Sequence, residues 1–381
     1  MARRRSSSRT NGVGRKAVRY AVIGLGHIAQ AAVLPAFEHA RRNSVLAALV
    51  SGNAKKRREL GRRYGIERVC GYDEIDELFA SGEIDAVYIA LPNDQHEDYV
   101  LRAARAGLHV LCEKPMAVSA RECERMIRAT RKAKVKLMIA YRLHFERANL
   151  TAAQLARSGK LGELRFFSSD FSMQVSDDNI RLRPPKQGGG PLYDIGIYCI
   201  NAARYCLGED PVAVWATATR SRDRRFRNVD ETVAAAMRFK DERLATFTCS
   251  FGAADRSTYT LTGTRGSLTV DPAYEYAMGL AYELKAGERA RKQKLAKSDQ
   301  FAPELLHFSD CILNDREPEP SGEEGLIDIR IIEGMLRSIA TGRWVSLQLP
   351  QRKRRPTLRQ EIRRPAVKRE PKLVDAVAAS Q

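Results

Sequence analysis

Several features that would route this chain out of the cell or across a membrane are missing from its 381 residues. The longest apolar candidate, residues 85–92, falls far short of the roughly 18 residues a spanning helix needs. Arg3, Arg4 and Arg5 are followed by no apolar run of signal-peptide length. The seven cysteines are odd in number and scattered, and none shows Cys-x-x-Cys spacing. This argues against a disulfide framework or a cysteine zinc site and for a reduced, cytoplasmic protein without a metal centre. Acidic residues are absent from residues 1–19, which hold seven Lys or Arg, and scarce in residues 351–381, with three against ten bases.

Those two ends account for most of the formal charge of +19, each contributing +7 and leaving +5 for the 331 residues between. The basicity is mostly a property of the two ends, so any nucleic-acid contact would be a non-specific one made by them, and the charge distribution argues against nucleic acid as the partner. Both ends are poor in large apolar residues and rich in Arg, and the sequence predicts a mobile basic arm over 1–16 and a mobile basic tail over 351–381. The body, within a chain that is 44% hydrophobic, is long enough for two domains at roughly 150 residues each.

From residue 18 to 142, short β runs alternate with helical patterns: 18–23, 46–51, 86–91, 109–112 and 136–140. That rhythm predicts a Rossmann-type α/β domain over 17–142, with a parallel sheet covered on both faces. A helix is expected near 148–158. Longer alternating segments then follow at 164–173, 212–219, 232–239, 243–251, 257–263 and 266–270, with helices near 304–314 and 323–341. They predict a second α/β domain over 143–350, for substrate binding and oligomerisation, on a large, open, mostly antiparallel sheet.

The first β run flows into Gly24, Gly26 and Ala29, a Gly-x-Gly-x-x-Ala turn that opens a helix over His27 and Ile28. In this pattern the first glycine makes the tight turn, the second lets backbone approach a pyrophosphate, and the small third residue packs helix on strand. At the end of the second strand such domains choose their nicotinamide cofactor: an acid binds the ribose hydroxyls, and bases accommodate a 2′-phosphate. Here Ser51, Gly52 and Asn53 lead into Lys55, Lys56, Arg57 and Arg58 with no acid, so NADP is favoured, with NAD as the alternative. Ser51 and Lys56 are the strongest candidates for that contact. Leu91, Pro92, Asn93 and His96 follow the fourth β run, and Glu113 and Lys114 end the fifth, at the carboxyl edge where ligands of such sheets bind.

Together with LMIAYRLH (137–144), Arg181 to Arg183, Gly188 to Gly190, DIGIY (194–198), 201–208 and Gly322 to Gly325, these motifs make the chain resemble the Gfo/Idh/MocA oxidoreductases over about residues 17–345, and their glucose-fructose oxidoreductase branch in particular. The resemblance implies hydride transfer between a sugar or polyol hydroxyl and a nicotinamide, in a dimer or tetramer built through the second sheet. It places Lys114, Asp194 and Tyr198 at the catalytic positions, Arg142 near the nicotinamide, Arg181 among the cofactor contacts, Tyr72 and Tyr276 along the cofactor and substrate region, and Arg183 with the substrate. Elementary chemistry agrees: alcohol oxidation needs a base for the hydroxyl proton, and a phenol beside an ammonium can act as one. Asp194 and Tyr198, four residues apart on one helix, would share a face. A non-catalytic sugar or NADP sensor of the same fold is the alternative. Two departures stand out: Ile180 replaces a Trp usual in the nearest relatives, and Glu146 with Arg147 replaces an Asp-Pro.

Overall fold

A computed structural model describes residues 17–351, 355–369 and 371–377. The expected arm over 1–16 lies outside the described residues. The first half runs β1 (Val18–Ile23), α1 (Leu34–Ala40), β2 (Ser44–Val50), α2 (Ala54–Tyr64), β3 (Arg68–Cys70), α3 (Ile75–Ala80), β4 (Ala86–Ile89), α4 (His96–Arg105), β5 (His109–Glu113), α5 (Ala120–Ala133) and β6 (Leu137–Ala140). Its six strands pair in parallel in the order β3-β2-β1-β4-β5-β6. The chain order reverses between β1 and β4, which opens a crevice at their carboxyl ends. Apart from Arg19, which pairs with Asp85, β1 is apolar because both its faces are covered: Val18, Tyr20 and Val22 join one buried cluster, Ala21 and Ile23 the other.

The second half begins with α6 (Arg147–Arg157), β7 (Leu164–Gln174), α7 (Ile197–Leu207), β8 (Ala213–Thr219), β9 (Thr232–Arg238) and β10 (Leu244–Ser250). It continues with β11 (Gly252–Gly263), β12 (Gly266–Val270), β13 (Ala281–Ala286), β14 (Arg289–Lys294), α8 (Ala302–Leu313), α9 (Gly322–Thr341) and β15 (Val345–Ser346). Nine strands form a sheet in the order β14-β13-β12-β11-β7-β10-β9-β8-β15, antiparallel except where β10 runs parallel to β7. Phe167, Ser169 and Phe171 of β7 face inward, while Phe166 and its neighbour Leu244 stand exposed on the other face.

The two halves are tied together by a buried polar network. Arg204 of α7, fully buried, pairs with Glu324 (2.7 Å) and Asp328 (2.5 Å) of α9 and with Asp210 (2.7 Å). Asp328 also accepts from the Tyr141 hydroxyl at 2.5 Å, just beyond β6. Glu146 caps α6 by accepting from the backbone N–H groups of Ala148 and Asn149.

The described part of the C-terminal tail packs against the folded body. Arg355 reaches Asp210, Ile362 N–H donates to the Phe145 carbonyl, Arg364 exchanges backbone and side-chain bonds with Asp299 and His39, and Val374 is buried. A segment too poor in apolar residues to build a core can still be ordered when isolated pegs, here Pro356 and Val374, enter a core that already exists.

Candidate active site

A cavity of about 620 Å³ runs from the carboxyl edge of the parallel sheet to the inner face of the second sheet. At one end lies the glycine turn. Gly24 has φ +91° and a Cβ there would sit 2.4 Å from the Ala90 carbonyl oxygen, so only glycine can make this turn beside β4. A Cβ at Gly26 would meet nothing within 4 Å; with Gly26, His27 and Ile28 on the cavity wall, an open cradle faces the start of the following helical segment. This is the backbone surface a pyrophosphate requires, so the residues fit a dinucleotide. Ser51, Lys56 and Tyr72 line the same end; Leu91, Pro92, Asn93, Glu113 and Arg142 line its middle.

Three expected cofactor contacts stand off the cavity wall. His96 is fully buried and its ring nitrogens meet the carbonyls of Leu91 (2.9 Å) and Pro115 (3.0 Å), so it fastens two loops instead of facing a ligand. Burial depresses its basicity, partly opposed by those carbonyls. Gly52 packs under the Tyr72 ring, and Asn53 caps α2 by accepting from the Lys56 N–H at 3.0 Å.

Lys114, Arg181, Arg183, Asp194, Tyr198 and Tyr276 converge at the other end. Lys114 follows β5 directly, through a cis peptide bond to Pro115. Asp194 and Tyr198 come from a helix whose first turn, Leu192–Gly196, is of the wide π type before α7 begins. The loop ahead of it is compressed: a Cβ at Gly189 would stand 1.8 Å from the Arg183 carbonyl oxygen.

Lys114 Nζ donates to Asp194 Oδ1 (2.9 Å) and to the Asp194 carbonyl (2.8 Å), and Arg181 Nε donates to Asp194 Oδ2 (2.6 Å). Burial alone would raise the Asp194 carboxyl, but the Arg181 guanidinium and then the Lys114 ammonium outweigh it and hold it well below the usual range. Burial likewise opposes the Lys114 charge, and Asp194, with Tyr198 and Glu113, more than offsets it. Two cations lie against the Tyr198 ring, Lys114 Nζ 4.9 Å and Arg142 Cζ 5.1 Å from its centroid. Its hydroxyl has no protein hydrogen-bond partner among the described residues. Arg142 is aimed by Gln300 and the Tyr274 carbonyl, and it also lies 5.4 Å over Tyr276. Arg183 approaches Asp94 at 3.9 Å. Ile180, more than half exposed, occupies the cavity rim.

The sequence reading missed the floor supplied by Phe171 and Met173, the contributions of Gln187 and Phe301, and the role of Gln300. None belongs to a motif around the glycine turn or the DIGIY segment. Phe171 and Met173 carried only the alternating pattern of an ordinary strand.

A Rossmann sheet with an open glycine cradle, joined to a second sheet that brings a Lys–Asp pair and a tyrosine to the far end of one cavity, defines a dinucleotide-dependent oxidoreductase. Comparison with known proteins agrees. Residues 18–141 match the oxidoreductase family with NAD-binding Rossmann fold, and residues 149–269 match the GFO/IDH/MocA C-terminal domain. The chain is 33% identical to the D-xylose 1-dehydrogenase [NADP(+)] of Haloarcula marismortui, over 87% of this chain and 93% of the relative. Its fold is similar to that of aldose-aldose oxidoreductase from Caulobacter crescentus, crystallised with glycerol, with TM-score 0.83 and 39% identity over 87% of this chain and all of the other. It is also similar to a 3-ketoreductase from Actinomadura kijaniata in complex with TDP-benzene and NADP, with TM-score 0.75 and 27% identity over 84% of this chain and 98% of that one. The protein belongs to the Gfo/Idh/MocA oxidoreductase family.

Proposed function

We infer that the protein is an NADP-dependent oxidoreductase acting on a CH–OH group of a sugar or other polyol. The observation that carries this reading is the free hydroxyl of Tyr198 on the cavity wall, with two cations against its ring. The bound nicotinamide would supply the chemistry of accepting or giving hydride. In the oxidising direction the phenolate form of Tyr198 takes the proton from the substrate hydroxyl and becomes a neutral phenol, and Lys114 and Arg142, against its ring, are placed to stabilise the phenolate before that transfer. An ammonium has three donors, and Asp194 engages two of them on Lys114, so the third remains to hold a sugar hydroxyl. Asp194 acts as a positioning residue, and Arg183 and Tyr276 border the space left for the substrate.

NADP is supported by the absence of acid at the end of β2, by Ser51 and Lys56 on the wall, and by the relatives named for or crystallised with NADP. Among the described residues no helix is long and apolar enough to cross a membrane. All seven cysteines are free and buried, which supports a cytoplasmic setting. The paired exposed Phe166 and Leu244 on the open sheet face support a homodimer or homotetramer formed there.

The test is the absorbance of reduced nicotinamide with NADP and a panel of aldoses and polyols. Sugar-dependent signal that Tyr198→Phe lowers by about 10²- to 10⁴-fold, with NADPH binding retained, is expected. NADPH binding without turnover on any sugar or polyol would overturn the substrate class.

A further inference from the structure

Residues 371–377 lie beside the adenosine end of the cavity, and a buried side chain anchors them there. Gln30, in the helical segment after the glycine turn, donates its amide to the Val374 carbonyl (2.9 Å) and accepts from the Val374 N–H (2.8 Å). The same amide donates to the carbonyl of Leu25 within the turn (2.9 Å). Two residues earlier, the Lys372 carbonyl accepts from Arg63 of α2 at 2.6 Å. The segment is thus tied both to the nucleotide-binding turn and to the helix that follows β2.

This anchorage sets the Asp375 carboxylate on the β2–α2 junction, where it accepts from Lys55 Nζ at 2.9 Å and from Asn53 Nδ2 at 3.2 Å. Asn53 in turn donates its backbone N–H to Ser51 Oγ at 3.3 Å and accepts from the Lys56 N–H. Ser51 and Lys56 line the cavity. The carboxylate therefore stands one residue behind the wall, at the place where Rossmann domains distinguish a ribose 2′-hydroxyl from a 2′-phosphate. β2 carries no acid of its own here; the acid arrives from far along the chain.

We propose that Val374 and Asp375 form a cap on the adenosine 2′-phosphate subsite, in which Asp375 tempers the hold on the phosphorylated dinucleotide by pairing with Lys55 and setting a negative charge behind the wall formed by Ser51 and Lys56. The inference rests on the cofactor reading above. A 2′-phosphate brings roughly two negative charges to a cluster already partly neutralised by Asp375, whereas an unphosphorylated ribose brings none. Lys55 is half exposed, so solvent screens the effect and keeps it modest.

The experiment is a fluorescence titration of the full chain with NADPH and with NADH, for the native protein, Asp375→Asn and Asp375→Ala. Both variants should bind NADPH about three- to tenfold more tightly with NADH affinity unchanged, and the gap should close as salt is raised from about 0.05 to 0.5 M. Unchanged or weaker NADPH binding, or a parallel change for both nucleotides, would overturn the cap while leaving the cofactor reading intact. A native protein that binds neither nucleotide would sink that reading and the cap with it.

Discussion

Lys114 and Asp194 are bound twice over: the ammonium donates both to the carboxylate, at 2.9 Å, and to the backbone carbonyl of the same residue, at 2.8 Å. The end of β5 is thereby fixed to the start of α7, and the cofactor-binding half to the half that carries Tyr198. Asp194→Asn would leave Lys114 and Arg181 without their shared counter-charge. A loss of about 1–3 kcal/mol in urea unfolding is expected, together with a fall in kcat. Lys114→Met should instead cut kcat by about 10²- to 10⁴-fold and keep NADPH binding. If Lys114→Met turns over normally, the ammonium has no role in proton transfer.

Gly24 and Gly26 should respond differently to the same change. Gly24→Ala forces a Cβ to within 2.4 Å of the Ala90 oxygen at a positive φ, so lower thermal stability and lost nucleotide binding are expected together. Gly26→Ala meets no protein atom within 4 Å, so its melting temperature should stay within about 2 °C of the native value while NADPH affinity falls, because the methyl fills the cradle. Calorimetry and fluorescence titration on the two variants separate these outcomes.

Arg204→Met removes the cation from between Glu324 and Asp328 and strands two buried carboxylates. The expected loss is about 3–5 kcal/mol in denaturant unfolding. Replacing Glu324 by Leu in the same chain should recover part of it, since the surviving pocket then buries less uncompensated charge. A single variant as stable as the native protein would show that the network does not hold the halves together.

Acid should weaken the fold through His307. Its Nε2 accepts from the Glu319 N–H at 3.3 Å and its ring lies against Phe145, so the fold wants the neutral form. Burial, helped by Arg316 and His144, pulls its pKa down to about 4. The unfolded histidine titrates near 6.5, so between these values the unfolded chain binds more protons. Its stabilising contribution is therefore complete above about pH 6.5 and is lost as pH falls toward 4, by at most about 3 kcal/mol. Buried Glu304 and Glu113 are pushed the opposite way by burial, so the comparison that isolates His307 is the pH slope of native unfolding against that of His307→Gln. A slope unchanged in the variant would remove His307 as the cause.

Most of the cofactor-binding half was legible because its strands are apolar on both faces and its turns carry glycine. β1 was read to the residue, and the alternating inward face of β7 was plain. β3 is only three residues long, and β14, reading RARKQK, is an edge strand whose only neighbour is β13, reading AYELKA. Charge protects such an edge from further pairing and erases the alternating pattern that would reveal it. His96 misled because a histidine at a strand end has the composition of a ligand-binding residue whether its nitrogens face a cavity or two carbonyls.

Local sequence determined the elements that depend on neighbours along the chain: the turn that only Gly24 can make, the period-2 strands, and the placing of Lys114 at a sheet edge. Tertiary structure alone decided which of these groups meet. That Lys114 reaches Asp194 across 80 positions, that Arg142 is steered onto Tyr198 by Gln300, and that Asp375 returns to Lys55 are consequences of packing two sheets and a tail around shared cores. Hydrophobic burial is non-directional and leaves no mark on the sequence between the partners it brings together.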